Sequence, residues 1–283
     1  MKHEFIPNMK FSKKNNDKIL KINEILEQFD KDGFILTLRQ LYYQLVSINY
    51  IENKKTQYSN LSYLVAKARM AGLIDWKFIE DRIRRPLRDY SVDNISQAIE
   101  DTIQQYNLRK MNFQPNYLEV WCEKDALSQI LSKITNKYGI FLLINRGYTS
   151  ASAMYKAAIR IPNNSTILYC GDHDASGLDM VRDIRNRFED FNKQISIVNF
   201  ALTIGQVRKY KLPENFAKTT DPRSKDYINK FGSSSWELDA LHPKVLTELC
   251  ENAILKIIDK SIFDKAVLQE QADKTTIREM LLN

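Results

Sequence analysis

The chain has 283 residues, 43% hydrophobic and 27% charged, close to the averages of ordinary globular proteins, so composition excludes a fibrous, disordered or membrane-embedded chain. That length suits two domains of about 150 residues or one large one. A net charge of +7, of which +5 falls in residues 1–110, points to a polyanionic partner such as nucleic acid, beside the plain reading of a solvated Lys-rich surface.

The first element is an amphipathic helix over residues 17–33. Asp17 is placed to cap it, Ile19, Ile22, Leu26 and Phe29 form an apolar stripe at three- and four-residue spacing, and Gly33 is its stop. A short apolar piece, 34–36, leads to Thr37-Leu-Arg-Gln40, which has the Thr-x-x-Gln form of a capping box. A second helix therefore starts there and carries Leu41, Tyr42, Leu45 and Val46. After a polar break, a third helix shows Leu61, Leu64, Val65 and Ala68 on one face and ends at Gly72, and residues 73–76 read as a short strand. This order is that of a winged helix-turn-helix domain, whose third helix faces DNA. Lys67 and Arg69 on that helix and Arg82, Arg84, Arg85 and Arg88 beyond it make a basic face, which also has a plain reading as solvated surface paired with Asp81 and Asp89. A linking helix is expected over 93–107, with the domain boundary near Pro115: residues 1–110 form the winged-helix domain and 111–283 the second domain.

From residue 116 the pattern becomes strand-like runs at 117–122, 140–144, 166–170 and 195–200, separated by helical stretches at 125–137, 150–160 and 177–191. That alternation predicts an α/β domain with a parallel sheet. Only eight residues are glycine, about 3% against a usual 7%, and six of them lie in this region's loops. Cys122, Cys170 and Cys250 show no metal-binding spacing and fit a reducing, cytoplasmic setting. The N-terminus shows no apolar signal segment and no run has the length of a membrane span, so no membrane role is expected.

Functional groups of open parallel sheets gather at the carboxyl ends of the strands. One strand-like run ends on Glu123; another ends on Gly171-Asp172-His173-Asp174-Ala-Ser-Gly177. Residues i and i+2 of extended backbone point the same way, so Asp172 and Asp174 can converge on one cation, with Glu123 approaching from the neighbouring strand. Three carboxylates are hard oxygen donors and suit Mg²⁺ or Mn²⁺, which normally act on phosphates. His173 points the opposite way. The competing reading is that Asp172 or Asp174 caps the helix near Gly177.

Glu at one strand end and Asp-x-Asp-x-x-Gly at a later one, over residues 116–200, resembles the Toprim domain of topoisomerases, primases and several nucleases. Leu38-Arg39-Gln-Leu-Tyr42-Tyr43 resembles the Arg-x-x-(Tyr/Phe)-Tyr helix in the winged-helix domain of the type IIB topoisomerase A subunit (topoisomerase VI) and of the related meiotic double-strand-break protein. The resemblance implies that Tyr43 attacks DNA to give a 5′-phosphotyrosine, that Arg39 steadies the phosphate, and that Glu123 joins in proton transfer and, with Asp172 and Asp174, in holding Mg²⁺. It also implies a homodimer that brings Tyr43 of one chain to the metal site of the other. Trp236-Glu237-Leu-Asp239 is similar to the late acidic strand of that domain, making Glu237 and Asp239 secondary candidates for metal support. The chain has no GxxxxGK[ST] phosphate loop, so an ATP-driven cycle needs a separate ATPase subunit. Three alternatives stand beside strand cleavage by tyrosine: a hydrolytic Toprim endonuclease in which the Tyr42-Tyr43 pair is simply core, a non-catalytic DNA-binding regulator, and an RNA-directed enzyme.

Overall fold

The computed structural model describes residues 4–80, 91–216 and 223–282, so the basic run Arg82, Arg84, Arg85 and Arg88 lies outside the described residues. Among those described, eleven α-helices accompany a four-stranded parallel sheet and a two-stranded antiparallel one, a mixed α/β architecture. The chain divides into two compact units. The first comprises Met1–Arg85, Gly171–Asp179 and Ala201–Leu246, and the second Pro86–Cys170, Met180–Phe200 and Thr247–Asn283.

The first unit opens with α1 (Lys13–Lys31). Its cap is Ser12, whose hydroxyl accepts the Asn15 N–H, and not Asp17, which lies a full turn inside. The expected stripe is correct: Ile19, Ile22, Leu26 and Phe29 are buried. Thr37 caps α2 (Leu38–Ser47) with the reciprocal capping box, its backbone N–H donating to Gln40 Oε1 at 2.9 Å. Such a cap is worth about 1 kcal/mol. The third helix, α3 (Lys55–Met70), buries Leu61, Leu64, Val65 and Ala68. No strand forms at 73–76: Asp75 instead caps a 3₁₀ turn, Trp76–Phe78, and the extended pairing of this region is a single parallel bridge between Leu36 and Ile79. The aspartate side chain accepting the Lys77 N–H at 3.1 Å competes with strand pairing at that point.

In the second unit, α4 (Ile95–Gln105) precedes β1 (Leu118–Cys122), α5 (Ser128–Tyr138), β2 (Phe141–Ile144), α6 (Ala151–Arg160), β3 (Ser165–Cys170), α7 (Ala175–Asp190) and β4 (Ile195–Ala201). Sheet order is β2-β1-β3-β4, and Val120 sits opposite both Leu142 and Leu168 in parallel register. One face of β1 and β3 packs Trp121, Ile167 and Tyr169 against Met154 and Ala157 of α6 and Ile184 and Phe188 of α7. Glu119 shares that face by the two-residue period and is fully buried, so it must be paired. It is: Arg160 donates to both its oxygens at 2.7 and 3.0 Å, Tyr117 Oη at 2.7 Å and Trp121 Nε1 at 2.9 Å.

The remaining elements are α8 (Ile204–Tyr210), β5 (Asn215–Phe216), α9 (Ser224–Phe231), β6 (Ser234–Ser235), α10 (Pro243–Leu255) and α11 (Lys260–Leu282), with β5 and β6 antiparallel. No helix is long and apolar enough to cross a membrane among the described residues.

Candidate active site

The first unit brings α2 against the turn after β6. Arg39, on the first turn of α2, is 198 residues from Glu237 in sequence, yet its Nη2 hydrogen-bonds Glu237 Oε2 and its Nε lies 3.5 Å from Asp239 Oδ2. Asp239 is fully shielded from solvent, whereas Glu237 is partly open, so Arg39 neutralises one buried carboxylate and one accessible one. Burial alone lowers the guanidinium's affinity for its proton; the two carboxylates outweigh that and hold it above the ordinary arginine value.

One helical turn on, Tyr43 lies beside Arg39, whose guanidinium carbon is 5.9 Å from the ring centroid. Tyr43 is 5% exposed. Burial, and after it the nearby Glu237 carboxylate, push the phenol well above the usual tyrosine value, and Arg39 acts in the opposite sense. The phenol is thus protonated, with the Arg39 cation and the Glu237 carboxylate acting on it in opposite senses. Tyr42 does a different job: its hydroxyl is 3.0 Å from Asn53 Oδ1 and 3.2 Å from the Lys54 carbonyl, and its ring packs edge-on against Tyr58 with centroids 5.3 Å apart. Arg39, Tyr42 and Tyr43 line a cavity of about 530 Å³ with Asn53, Lys55 and Tyr58. The last three are cavity residues that motif reading missed; the only signal for them is their place at the start of a helix facing the Tyr42-Tyr43 pair.

The aspartates behave as backbone acceptors. Asp172 is buried, and its Oδ1 accepts the Leu238 N–H at 2.8 Å, tying the strand end to the same turn that carries Glu237 and Asp239. Asp174 Oδ1 accepts the Gly177 N–H at 2.7 Å while its carbonyl accepts the Leu178 N–H at 3.1 Å, which makes it the cap of α7. Gly177 is required here, because a Cβ would stand 2.2 Å from the Asp172 carbonyl oxygen. The His173 ring is engaged by aromatic residues: its Nδ1 is 2.8 Å from Tyr227 Oη, and its ring meets Phe231 edge-on with centroids 4.8 Å apart. Glu237 and Asp239, expected on a strand, instead flank and occupy a 3₁₀ turn, Leu238–Ala240, after a single bridge between His173 and Trp236.

Glu123 closes β1 in the second unit, where its N–H donates to the Cys170 carbonyl at 3.0 Å. Among the described residues, no group of three or more His, Cys, Asp or Glu side chains is disposed to hold a metal ion. The carboxylates have the hard-oxygen chemistry that suits Mg²⁺, and one oxygen each of Asp172 and Asp174 accepts a backbone N–H. Cys122 and Cys170 face each other in register on β1 and β3, and with Cys250 they are buried free thiols. No protein-family model matches the chain, and no curated protein matches it in sequence.

Proposed function

We propose that the chain is a DNA strand-cleaving protein resembling the type IIB topoisomerase A subunit, with α1–α3 as a winged helix and β1–β4 with α5–α7 as a Toprim core. Supporting this reading above all is the meeting, across 198 residues, of Arg39 and Tyr43 with Glu237 and Asp239 beside a cavity that also carries Lys55. In the proposed reaction the Tyr43 hydroxyl attacks a DNA phosphorus. A bond forms between phosphorus and Oη, the P–O3′ bond breaks, and the 5′ end is left on the tyrosine. Glu237 takes the phenol proton and passes it to the departing 3′ oxygen, which ends as a hydroxyl and leaves Glu237 ionised again. Arg39, freed from Glu237 while that carboxylate carries the proton, donates hydrogen bonds to the phosphate oxygens as negative charge builds on them. A homodimer, duplex DNA and a separate ATPase subunit belong to the same proposal, as does a requirement for Mg²⁺ or Mn²⁺.

A second reading has its own observation: Tyr43 is buried, as fits a core tyrosine in a DNA-binding regulator. Incubation of supercoiled plasmid with the protein, with and without Mg²⁺ or Mn²⁺, separates the two. Strand cleavage lost in Tyr43→Phe supports the tyrosine mechanism, cleavage retained in Tyr43→Phe supports a hydrolytic nuclease, and binding without cleavage under any divalent metal supports the regulator.

A further inference from the structure

A second cavity of the first unit, about 420 Å³, lies between the segment entering α1 and one face of α3. Four of its walls are lysines, Lys10, Lys14, Lys18 and Lys67, and no Asp or Glu lines it; the other polar groups are Ser12, Asn15, Gln57, Asn60 and Tyr63. Three other cations of this unit pair with carboxylates, Lys21 with Glu24, Lys77 with Asp30 and Arg39 with Glu237. None of the four cavity lysines makes a salt bridge among the described residues. The first turn of α1 also holds no acid and begins Lys13-Lys14, placing cations at the positive end of the helix dipole, an arrangement that is unfavourable until an anion joins it. Burial and the nearby Lys14 ammonium lower the affinity of Lys18 for its proton, which is what crowded, unmatched cations do. Tyr63 is 65% exposed with the Lys67 ammonium 4.5 Å from its ring centroid.

We propose that this cavity binds a single strand of nucleic acid, the lysines holding successive phosphates and one base resting on Tyr63. Exposed aromatics set among phosphate-binding cations are the usual platform for single strands, and the volume suits one nucleotide. The nucleic-acid identity rests on the function proposed above; the anion selectivity of the cavity does not, since it is built from different residues.

The test is fluorescence anisotropy of a labelled single-stranded oligonucleotide with the full chain, comparing wild type, Lys14→Gln/Lys67→Gln and, as a charge-matched control, Lys21→Gln/Lys77→Gln. The cavity variant is expected to bind about tenfold more weakly, with a salt dependence shallower by about 1.4 in log–log slope, about 0.7 for each lost phosphate contact, while the control stays within about twofold. Tyr63→Ala is expected to weaken binding about tenfold through lost stacking. Equal affinity of wild type and the cavity variant overturns the proposal. So does equal competition by inorganic phosphate, a mononucleotide and the oligonucleotide, which identifies a small-anion site instead. Plasmid cleavage by the same proteins keeps the two proposals apart: cleavage that needs Tyr43 with unaltered binding by the cavity variant sinks only this site, and lost binding with Tyr43-independent cleavage sinks only the tyrosine mechanism.

Discussion

Arg160→Ala removes the cation that neutralises Glu119 in the middle of the parallel sheet. Glu119 is fully buried and accepts from Arg160 through both oxygens, at 2.7 and 3.0 Å, as well as from Tyr117 and Trp121. Hydrogen bonds to charged groups contribute about 1.5–3 kcal/mol each, so the two from Arg160 sum to about 3–6 kcal/mol. The Arg160 side chain is 34% exposed, so water entering the vacated space recovers part of this, and the expected loss is about 2–4 kcal/mol. That is a large share of a typical 5–15 kcal/mol. Urea unfolding read by tryptophan fluorescence measures it, Trp121 being itself a donor to Glu119. A double variant, Glu119→Gln with Arg160→Ala, should recover part of the loss, because the stranded charge is gone. A loss under about 1 kcal/mol for the single variant would refute the claim that Arg160 is what makes a buried Glu119 tolerable.

Other predictions concern the residues around the candidate site. Gly177→Ala places a methyl 2.2 Å from a backbone oxygen that cannot swing aside; a loss of at least about 1–3 kcal/mol in chemical denaturation is expected, and wild-type stability would contradict the close approach. Burial lowers the His173 pKa, opposed by the Asp174 charge, so the folded state favours the neutral ring. Its contribution is present above the unfolded value of about 6.5 and is lost as pH falls from there through the folded pKa. Urea midpoints from pH 7.5 down to 5 should therefore decline, less so in His173→Gln. Glu237→Gln removes the charge that helps hold the Tyr43 proton, so phenolate absorbance, with Tyr43→Phe as the blank, should show Tyr43 ionising at lower pH in that variant than in wild type. An unchanged titration contradicts the influence of the Glu237 charge on Tyr43.

Local signals carried much of the fold. The Thr37–Gln40 capping box, the stripes of α1 and α3 and all four strands of the parallel sheet follow from periods of 3.6 and 2 acting within a few residues. Thr203-x-x-Gln206 carries the same capping-box signal and starts α8, whose seven residues are too few to show a period. Where two local devices compete, the pattern was ambiguous: Ser12 displaced Asp17 as the cap of α1, and the Asp75 turn replaced a strand at 73–76. Asp174 shows the same ambiguity at the site, since an Asp before a helix is both a ligand type and a cap, and here its Oδ1 caps. The pairing of Arg39 with Glu237 and Asp239 had no local signature at all. It depends on the chain returning to α2 after nearly 200 residues, which only the tertiary fold specifies.

The central claim is that Tyr43 becomes covalently joined to DNA. The direct measurement is to denature the protein during reaction with end-labelled duplex DNA and Mg²⁺ or Mn²⁺, digest it, and map the labelled peptide. The account predicts label on the α2 peptide at Tyr43, attached to the 5′ end of the cut strand and absent from Tyr43→Phe. Cut DNA with both ends free of protein, or label on any other residue, would contradict it.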